Sequence, residues 1–249
     1  MSFNLALILT VLTLVSGIVV LLNRLVWKLP PDARGGGLAT LVEYSRSFFP
    51  VLLFVLVIRS FVFEPFRIPS GSMMPTLLQG DFIFVKKYSY GLRLPVTETK
   101  IVETGDPERG DVVVFRLPSS PNINYIKRIV GLPGDEVIYS KHRLTINGEL
   151  VDLQQAEDYS RNTPRWIEQL GEDSHDILIT APLNTHMDGR YVVPEGHFFV
   201  LGDNRDSSKD SRYIGAIPET HLVGEAVRIW LHIDGFSMPR WERIGMKIE

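Results

Sequence analysis

The chain has 249 residues, no cysteine and a formal net charge of −3. The lack of cysteine excludes disulfides, thiolate zinc sites, iron–sulfur clusters and a cysteine nucleophile. The near balance of charge provides no global positive field for nucleic acid, so no nucleic-acid partner is expected. The mean hydropathy of +0.07 is high for a chain with ordinary charge content.

Much of this apolar excess lies at the N-terminus. Residues 1–23 carry no charged side chain, and residues 5–22 form a nearly continuous apolar run. About 20 such residues cross a ~30 Å hydrocarbon core as a helix, so a membrane span is predicted over about 4–22. A cleavable signal peptide fits less well, because no basic residue precedes the run and it ends in Leu21-Leu22-Asn23-Arg24.

A second apolar run follows a short basic segment. Residues 23–46 carry Arg24, Lys28, Arg34 and Arg46, and short loops rich in Lys and Arg stay cytoplasmic. The second span is predicted over 47–63, which makes residues 1–63 a membrane anchor and places residues 64–249 on the extracytoplasmic side. The alternative is that the second run is an interfacial or core helix, which would leave the body in the cytoplasm.

The body of the chain, 64–249, has the pattern of a mainly β domain. Short runs rich in Val, Ile and Phe, such as 82–85, 112–115 and 198–201, alternate with turn residues. Asn147-Gly148 between two apolar stretches predicts a hairpin. An inserted or appended β subdomain is expected at about 137–195. Within it, 152–176 has seven acidic and two basic residues and is predicted to be an exposed insertion or an edge subdomain rather than core.

One segment just after the second apolar run is rich in small polar residues. It reads Ser-Gly-Ser-Met-Met-Pro-Thr-Leu at 70–77. Ser72 is interpreted either as the N-cap of a short helix beginning near Pro75 or as a functional serine. The apolar Met73 and Leu77 suit a core equally well.

Two further segments place charge where plain strands and turns do not require it. Lys127 and Arg128 are consecutive in the strand-like run 124–130, so one of them must face the more buried side or a cleft. A buried lysine loses its proton readily and becomes a base, whereas an edge-strand lysine only guards against aggregation. The segment 202–212, Gly-Asp-Asn-Arg-Asp-Ser-Ser-Lys-Asp-Ser-Arg, is either a turn-rich loop or a buried ion network. No metal site is indicated.

Together, in this order, the three segments resemble the motifs of bacterial type I signal peptidases (leader peptidases), in particular the two-span Gram-negative branch. The resemblance implies a serine endopeptidase without cofactor that removes signal peptides from exported pre-proteins after small residues of the Ala-x-Ala type. It implies a multi-pass protein of the inner membrane with a periplasmic catalytic domain. Its partners would be signal peptides, the lipid bilayer and the secretion translocon.

Carried over residue by residue, the resemblance makes Ser72 the nucleophile and Lys127 the general base. Ser70 and the Ser72 N–H would form the oxyanion hole, and Ser208 would hydrogen-bond and orient the Lys127 amine. The remaining implied roles are a supporting ion network of Asp210, Arg212 and Arg128 and substrate pockets lined by Ile68, Met73, Leu77, Tyr125 and Ile126. Ser207 stands where many relatives have Asn, and its role is open.

The chemistry adds one expectation of its own. A carboxylate beside Lys127 would hold the proton on the amine, so Asp210 is predicted to pair with arginine instead. Two other functions compete with the main hypothesis. One is another Ser–Lys protease, such as a self-cleaving repressor-type peptidase. The other is a membrane-anchored, non-enzymatic β module of a secretion complex.

Overall fold

The computed structural model describes residues 2–30, 36–97, 99–161, 163–180, 188–235 and 238–248. The chain forms two compact units. One comprises Met1–Glu64 and Gly91–Glu103, and the other comprises Pro65–Tyr90 and Thr104–Glu249. The first unit is mainly helical and the second mainly β, which confirms the predicted class of two N-terminal helices followed by a β-rich domain.

The first unit is built on two long helices, α1 (Ser2–Leu22) and α2 (Gly37–Val57), each continued by a π-helical turn. They pack closely where the Phe49 ring covers Gly17, a position at which a Cβ would lie 2.8 Å from the ring. Both helices are long and apolar enough to cross a membrane, over Leu5–Trp27 and Gly37–Val62, and only 11% of the most apolar stretch of each is buried. This exposure argues against a core helix of a soluble protein, because such a helix buries its apolar side chains.

The second helix begins earlier than the span predicted over 47–63. It starts at Gly37, so residues 37–46, which were expected in the loop 23–46, are helical instead. The predicted start of the second helix was wrong. The prediction used charge to delimit the span, but Glu43 and Arg46 are good helix formers and extend a helix beyond its apolar part. Residues 31–35 of that loop, including Arg34, lie outside the described residues.

The strands are numbered in chain order. They are β1 (Phe63–Arg67), β2 (Asp81–Lys86), β3 (Leu92–Arg93), β4 (Lys100–Val102), β5 (Val112–Leu117), β6 (Ser120–Gly131), β7 (Glu136–Ser140), β8 (Arg143–Ile146), β9 (Glu149–Leu150), β10 (Leu153–Gln155), β11 (Arg165–Leu170), β12 (Asp173–Leu178), β13 (Gly189–Val192), β14 (His197–Leu201), β15 (Ile217–Pro218) and β16 (Leu222–His232). A short helix, α3 (Ser211–Ile214), follows β14.

The main sheet has the strand order β1-β2-β16-β5-β6-β14-β15. Strand β6 lies inside it, antiparallel to both β5 and β14, and Lys127 is opposite Val113 of β5. Smaller sheets have the orders β13-β7-β8-β9, β10-β11-β12 and β3-β4. Because β6 is an interior strand, the interpretation of Lys127 as an edge-strand lysine is wrong.

The hairpin predicted at Asn147-Gly148 is confirmed. Ile146 of β8 pairs with Glu149 of β9, and the two residues between them have φ values of 52° and 84°. Positive φ at both central positions is what a two-residue hairpin turn of this kind requires, and Asn and Gly tolerate it best.

The acidic segment 152–176 is not simply an exposed insertion. It contributes β10, β11 and much of β12 to a three-stranded sheet, and it buries Glu168 and His175, which face each other across β11 and β12. The alternative of an edge subdomain fits this separate sheet, but the expectation that the segment stays out of the core is wrong at Glu168 and His175. Local net charge averages over a segment, whereas the burial of one carboxylate depends on the partner that it meets in the fold.

Apolar side chains of the β-rich unit form three buried clusters. The first underlies the segment 68–77 and contains Ile68, Met73, Leu77 and Ile126, together with side chains of β2, β5 and β16. This cluster anchors the polar segment at 70–77 to the main sheet.

Candidate active site

Ser72 lies in a tight turn between β1 and β2. Residues 72–76 form turns that include a cis Met74–Pro75 peptide bond, and Leu77 N donates to Met73 O at 2.9 Å. No helix follows the serine in this described segment, so the N-cap interpretation of Ser72 is wrong. Met73 and Leu77 are fully buried on either side of the turn, which fixes Ser72 relative to the sheet.

The turn places Ser72 in contact with Lys127, which lies 55 positions further along the chain. The Lys127 amine donates to Ser72 Oγ at 2.6 Å and to the carbonyl of Ile126 at 2.7 Å. Both side chains are buried, with Lys127 only 3% exposed. A hydroxyl in direct contact with a buried amine is the arrangement that a serine nucleophile and its base require.

Burial sets the proton affinity of the lysine. Removal of water lowers the pKa of Lys127 to about 8, and the more distant charges of Asp210 and Asp203 oppose part of this fall. Within the described part of the chain, no carboxylate comes within 4.0 Å of the amine, and Asp210 pairs with Arg212. The prediction that Asp210 contacts an arginine instead of Lys127 is therefore confirmed.

Ser70 lies beside Ser72, two positions earlier in the same segment. Its Oγ is 3.4 Å from Ser72 Oγ, and its side chain is exposed. A hydroxyl at this distance can turn toward an oxygen that develops negative charge next to Ser72.

Ser208 is buried near the same turn, but it does not bond Lys127 in this structure. Its Oγ has no hydrogen-bond partner among the described residues. It lies against Gly202, where a Cβ would collide with both the Ser208 side chain and the Ser72 carbonyl. The predicted bond to the amine is thus not formed in this structure, where the amine donates to Ser72 Oγ and Ile126 O.

Arg128 pairs with a carboxylate that sequence reasoning did not assign. Its guanidinium donates to both oxygens of Asp203, at 2.9 and 2.8 Å, and to the carbonyl of Gly110 at 2.8 Å. Burial alone would raise the pKa of Asp203, but the Arg128 charge lowers it below its usual range. Asp203 also accepts from Thr76 Oγ1 at 2.6 Å, so this ion pair is bonded to the turn that carries Ser72.

The second ion pair stiffens the loop 202–212 itself. Arg212 donates to the two oxygens of Asp210 at 2.8 and 2.7 Å, and Asp210 accepts the Gly202 N–H at 3.0 Å. Arg212 also donates to the carbonyl of Arg205 at 2.6 Å. The predicted network of Asp210, Arg212 and Arg128 therefore contains two arginine–carboxylate pairs, with Asp203 as the partner of Arg128.

Asn204 is a second residue that the sequence interpretation did not single out. Its backbone N–H donates to the Ser72 carbonyl at 3.1 Å, and its side-chain amide donates to the Gly71 carbonyl at 3.0 Å. The one available signal was its position inside the 202–212 motif. Asn204 therefore bonds the backbone of the turn that carries Ser72, and Asp203 bonds the Thr76 side chain of the same turn.

The five residues predicted to line substrate pockets divide between two environments. Ile68, Met73, Leu77 and Ile126 lie in one buried apolar cluster. Tyr125 is partly buried against another cluster, with the Lys127 amine 5.6 Å from its ring centroid. Four of the five belong to the core beneath the site, and contact with substrate stays a prediction for all five.

Comparison with known proteins assigns the class. The signal peptidase, peptidase S26 family matches residues 41–231. A signal peptidase I of Pseudomonas fluorescens is 50% identical over 224 residues, which cover 83% of this chain and 79% of the relative. One of Pseudomonas aeruginosa is 49% identical over 230 residues, with the same two coverages. The solved signal peptidase I of Enterococcus faecalis V583 is 31% identical, covers 49% of this chain and 98% of its own, and has a TM-score of 0.32.

The fold and the buried serine–lysine contact therefore belong to a peptidase. The chain is a member of the signal peptidase, peptidase S26 family, and its relatives include signal peptidases I of Gram-negative bacteria. Among the described residues, no group of three or more His, Asp or Glu side chains is placed to hold a metal ion.

Proposed function

We propose that this chain is a membrane-bound endopeptidase that uses Ser72 as nucleophile and Lys127 as general base to release signal peptides from exported pre-proteins. The observation that carries the proposal is the 2.6 Å contact between the Lys127 amine and Ser72 Oγ. With a pKa of about 8, a useful fraction of the amine is neutral near pH 7.5. An ordinary lysine is almost wholly protonated there and serves poorly as a base.

The proposed reaction has two halves. Ser72 Oγ attacks the carbonyl carbon before the scissile bond while Lys127 takes the hydroxyl proton, and the oxyanion accepts from the Ser70 hydroxyl and the Ser72 N–H. Collapse breaks the C–N bond, and the departing amine takes the proton from Lys127. In the second half, neutral Lys127 takes a proton from water while the water oxygen attacks the acyl carbon. Collapse breaks the ester C–O bond, Lys127 returns the proton to Ser72 Oγ, and the signal peptide leaves with a new carboxylate.

Specificity for small side chains of the Ala-x-Ala type is part of the proposal. The predicted pocket residues Ile68, Met73, Leu77 and Ile126 share one buried apolar cluster with the segment that carries Ser72, and we infer that an apolar site here would admit small side chains. An extended substrate would bind by strand addition and present alternate side chains to this surface.

The membrane setting is proposed on separate grounds. The two long apolar helices carry exposed apolar side chains, as a lipid-facing surface requires, and the sequence between them is basic. This supports an inner-membrane protein whose β-rich unit faces the periplasm, where signal peptides arrive from the translocon. Protease digestion of spheroplasts tests it, because external protease would cut residues 64–249 only if they face outward.

The activity is tested with purified full-length protein in detergent. It is incubated with a pre-protein whose signal ends in Ala-x-Ala, and the products are identified by mass. Cleavage after the second Ala by wild type, and none by Ser72→Ala, is the expected result. A wild-type sample that leaves the pre-protein intact would refute the proposal.

A further inference from the structure

A buried carboxylate connects the small sheet β10-β11-β12 to the loop 202–212. Glu168 of β11 receives the guanidinium of Arg205 with both oxygens, at 2.7 Å for Oε1 and through a second short bond at Oε2. Both side chains are no more than 2% exposed. Burial alone would raise the pKa of Glu168, but the Arg205 charge holds it well below its usual range.

Arg205 also bonds the backbone of the loop 202–212. Its Nε donates to the Gly202 carbonyl at 3.2 Å, and its own carbonyl accepts from Arg212 Nη2 at 2.6 Å. Gly202 in turn donates to Asp210. The guanidinium of Arg205 is thus held by Glu168 on one side and closes the loop on the other.

Two further contacts join the same small sheet to the residues that hold Ser72. The N–H of Leu178, at the end of β12, donates to the Asp203 carbonyl at 2.9 Å. His175, the cross-strand neighbour of Glu168, has its Nε2 at 3.3 Å from Glu168 Oε2 and 4.0 Å from Asp203 Oδ1. The sheet therefore borders the pair of residues, Asp203 and Asn204, that bond Thr76, Gly71 and Ser72.

We propose that Glu168 is a positioning residue for the serine–lysine reaction, acting through Arg205 and the loop 202–212 on the turn that carries Ser72. The inference rests on the proposed function and deepens it. It gives one residue of the acidic segment 152–176, Glu168, a positioning role, although none of the described residues of that segment contacts Ser72 or Lys127. A buried ion pair that loses one partner leaves the other charge uncompensated, so the loop would relax around Arg205.

Purified full-length protein with Glu168→Gln tests this, because the variant keeps the side-chain shape and removes the charge. The matched control is Asp176→Asn, which removes a carboxylate from the same sheet where it pairs with Arg165 and both side chains are about one-third exposed. kcat and KM for pre-protein cleavage are measured for each, and the folded fraction is measured by circular dichroism in the same samples.

The expected result is a kcat per folded molecule about 100-fold lower for Glu168→Gln, with KM changed less than about twofold. Asp176→Asn should match wild type. Glu168→Asp, which keeps the charge one methylene further from Arg205, should recover part of the rate. Wild-type kcat per folded molecule in Glu168→Gln would overturn the inference, as would failure of both Glu168 variants to fold. Absence of cleavage by wild type would instead count against the proposed function.

Discussion

Thr76 and Asp203 are 127 positions apart in the chain, yet the Thr76 hydroxyl donates to the Asp203 carboxylate at 2.6 Å. This bond joins the turn that carries Ser72 to the loop that follows β14. Because Asp203 is also held by Arg128, the residue next to Lys127, one carboxylate connects all three segments that the sequence marked as unusual.

The serine–lysine pair gives the most direct prediction. Lys127→Ala should lower kcat by about 100- to 10,000-fold, the range that a positioned general base contributes, and Ser72→Ala should abolish turnover. Lys209→Ala is the matched control, since Lys209 is an exposed lysine in the loop 202–212. Near-wild-type cleavage by Lys127→Ala, measured on folded protein, would exclude Lys127 as the base.

The pKa of Lys127 predicts the pH dependence of the reaction. Because the neutral amine is the active form and its pKa is about 8, kcat/KM should rise about tenfold per pH unit below pH 8 and level off above it. The measurement is kcat/KM between pH 6 and 10. If kcat/KM keeps rising up to pH 10, the lysine is not desolvated during the reaction.

Ser70 should matter for turnover more than for binding. Removal of one oxyanion donor typically costs about 100- to 1,000-fold in kcat, and Ser70→Ala should show this with KM nearly unchanged. Steady-state kinetics on a signal-peptide substrate measure both parameters. A rise in KM at constant kcat would instead make Ser70 a contact for the ground-state substrate.

Ser208 is expected to contribute to turnover and not to stability. Its hydroxyl is buried without a hydrogen bond among the described residues, so Ser208→Ala should not lower the free energy of unfolding, because no bond is lost. If the hydroxyl turns to the Lys127 amine during the reaction, kcat should fall by about tenfold or more. Unchanged kcat would remove Ser208 from the mechanism.

Asp203 should be important for stability as well as activity. Asp203→Asn removes the charge that compensates Arg128 inside the protein, and breaking a buried ion pair on one side costs about 3–5 kcal/mol. Urea unfolding of the variant measures it, with the exposed Asp158→Asn as control. A loss below about 1 kcal/mol would mean that water or another group replaces the carboxylate at Arg128.

The sequence determined much of this protein because its signals are local. A run of apolar residues long enough to cross a bilayer, strand-length runs of Val, Ile and Phe, and Asn147-Gly148 depend on neighbours in the chain, and the structure has helices, strands and a hairpin there. The order of the three motifs in the sequence predicted the family, and the comparisons with known proteins confirm it.

The tertiary structure decided which side chains meet. No local pattern distinguishes Asp203 from Asp210 as the partner of Arg128. No local pattern predicts that Glu168 is buried in an ion pair with Arg205. The same holds for the pKa of Lys127, which depends on how completely the fold removes water and carboxylates from the amine. Sequence alone marked Ser72 and Lys127 as candidates; their 2.6 Å contact exists because a buried turn and an interior strand bring them together.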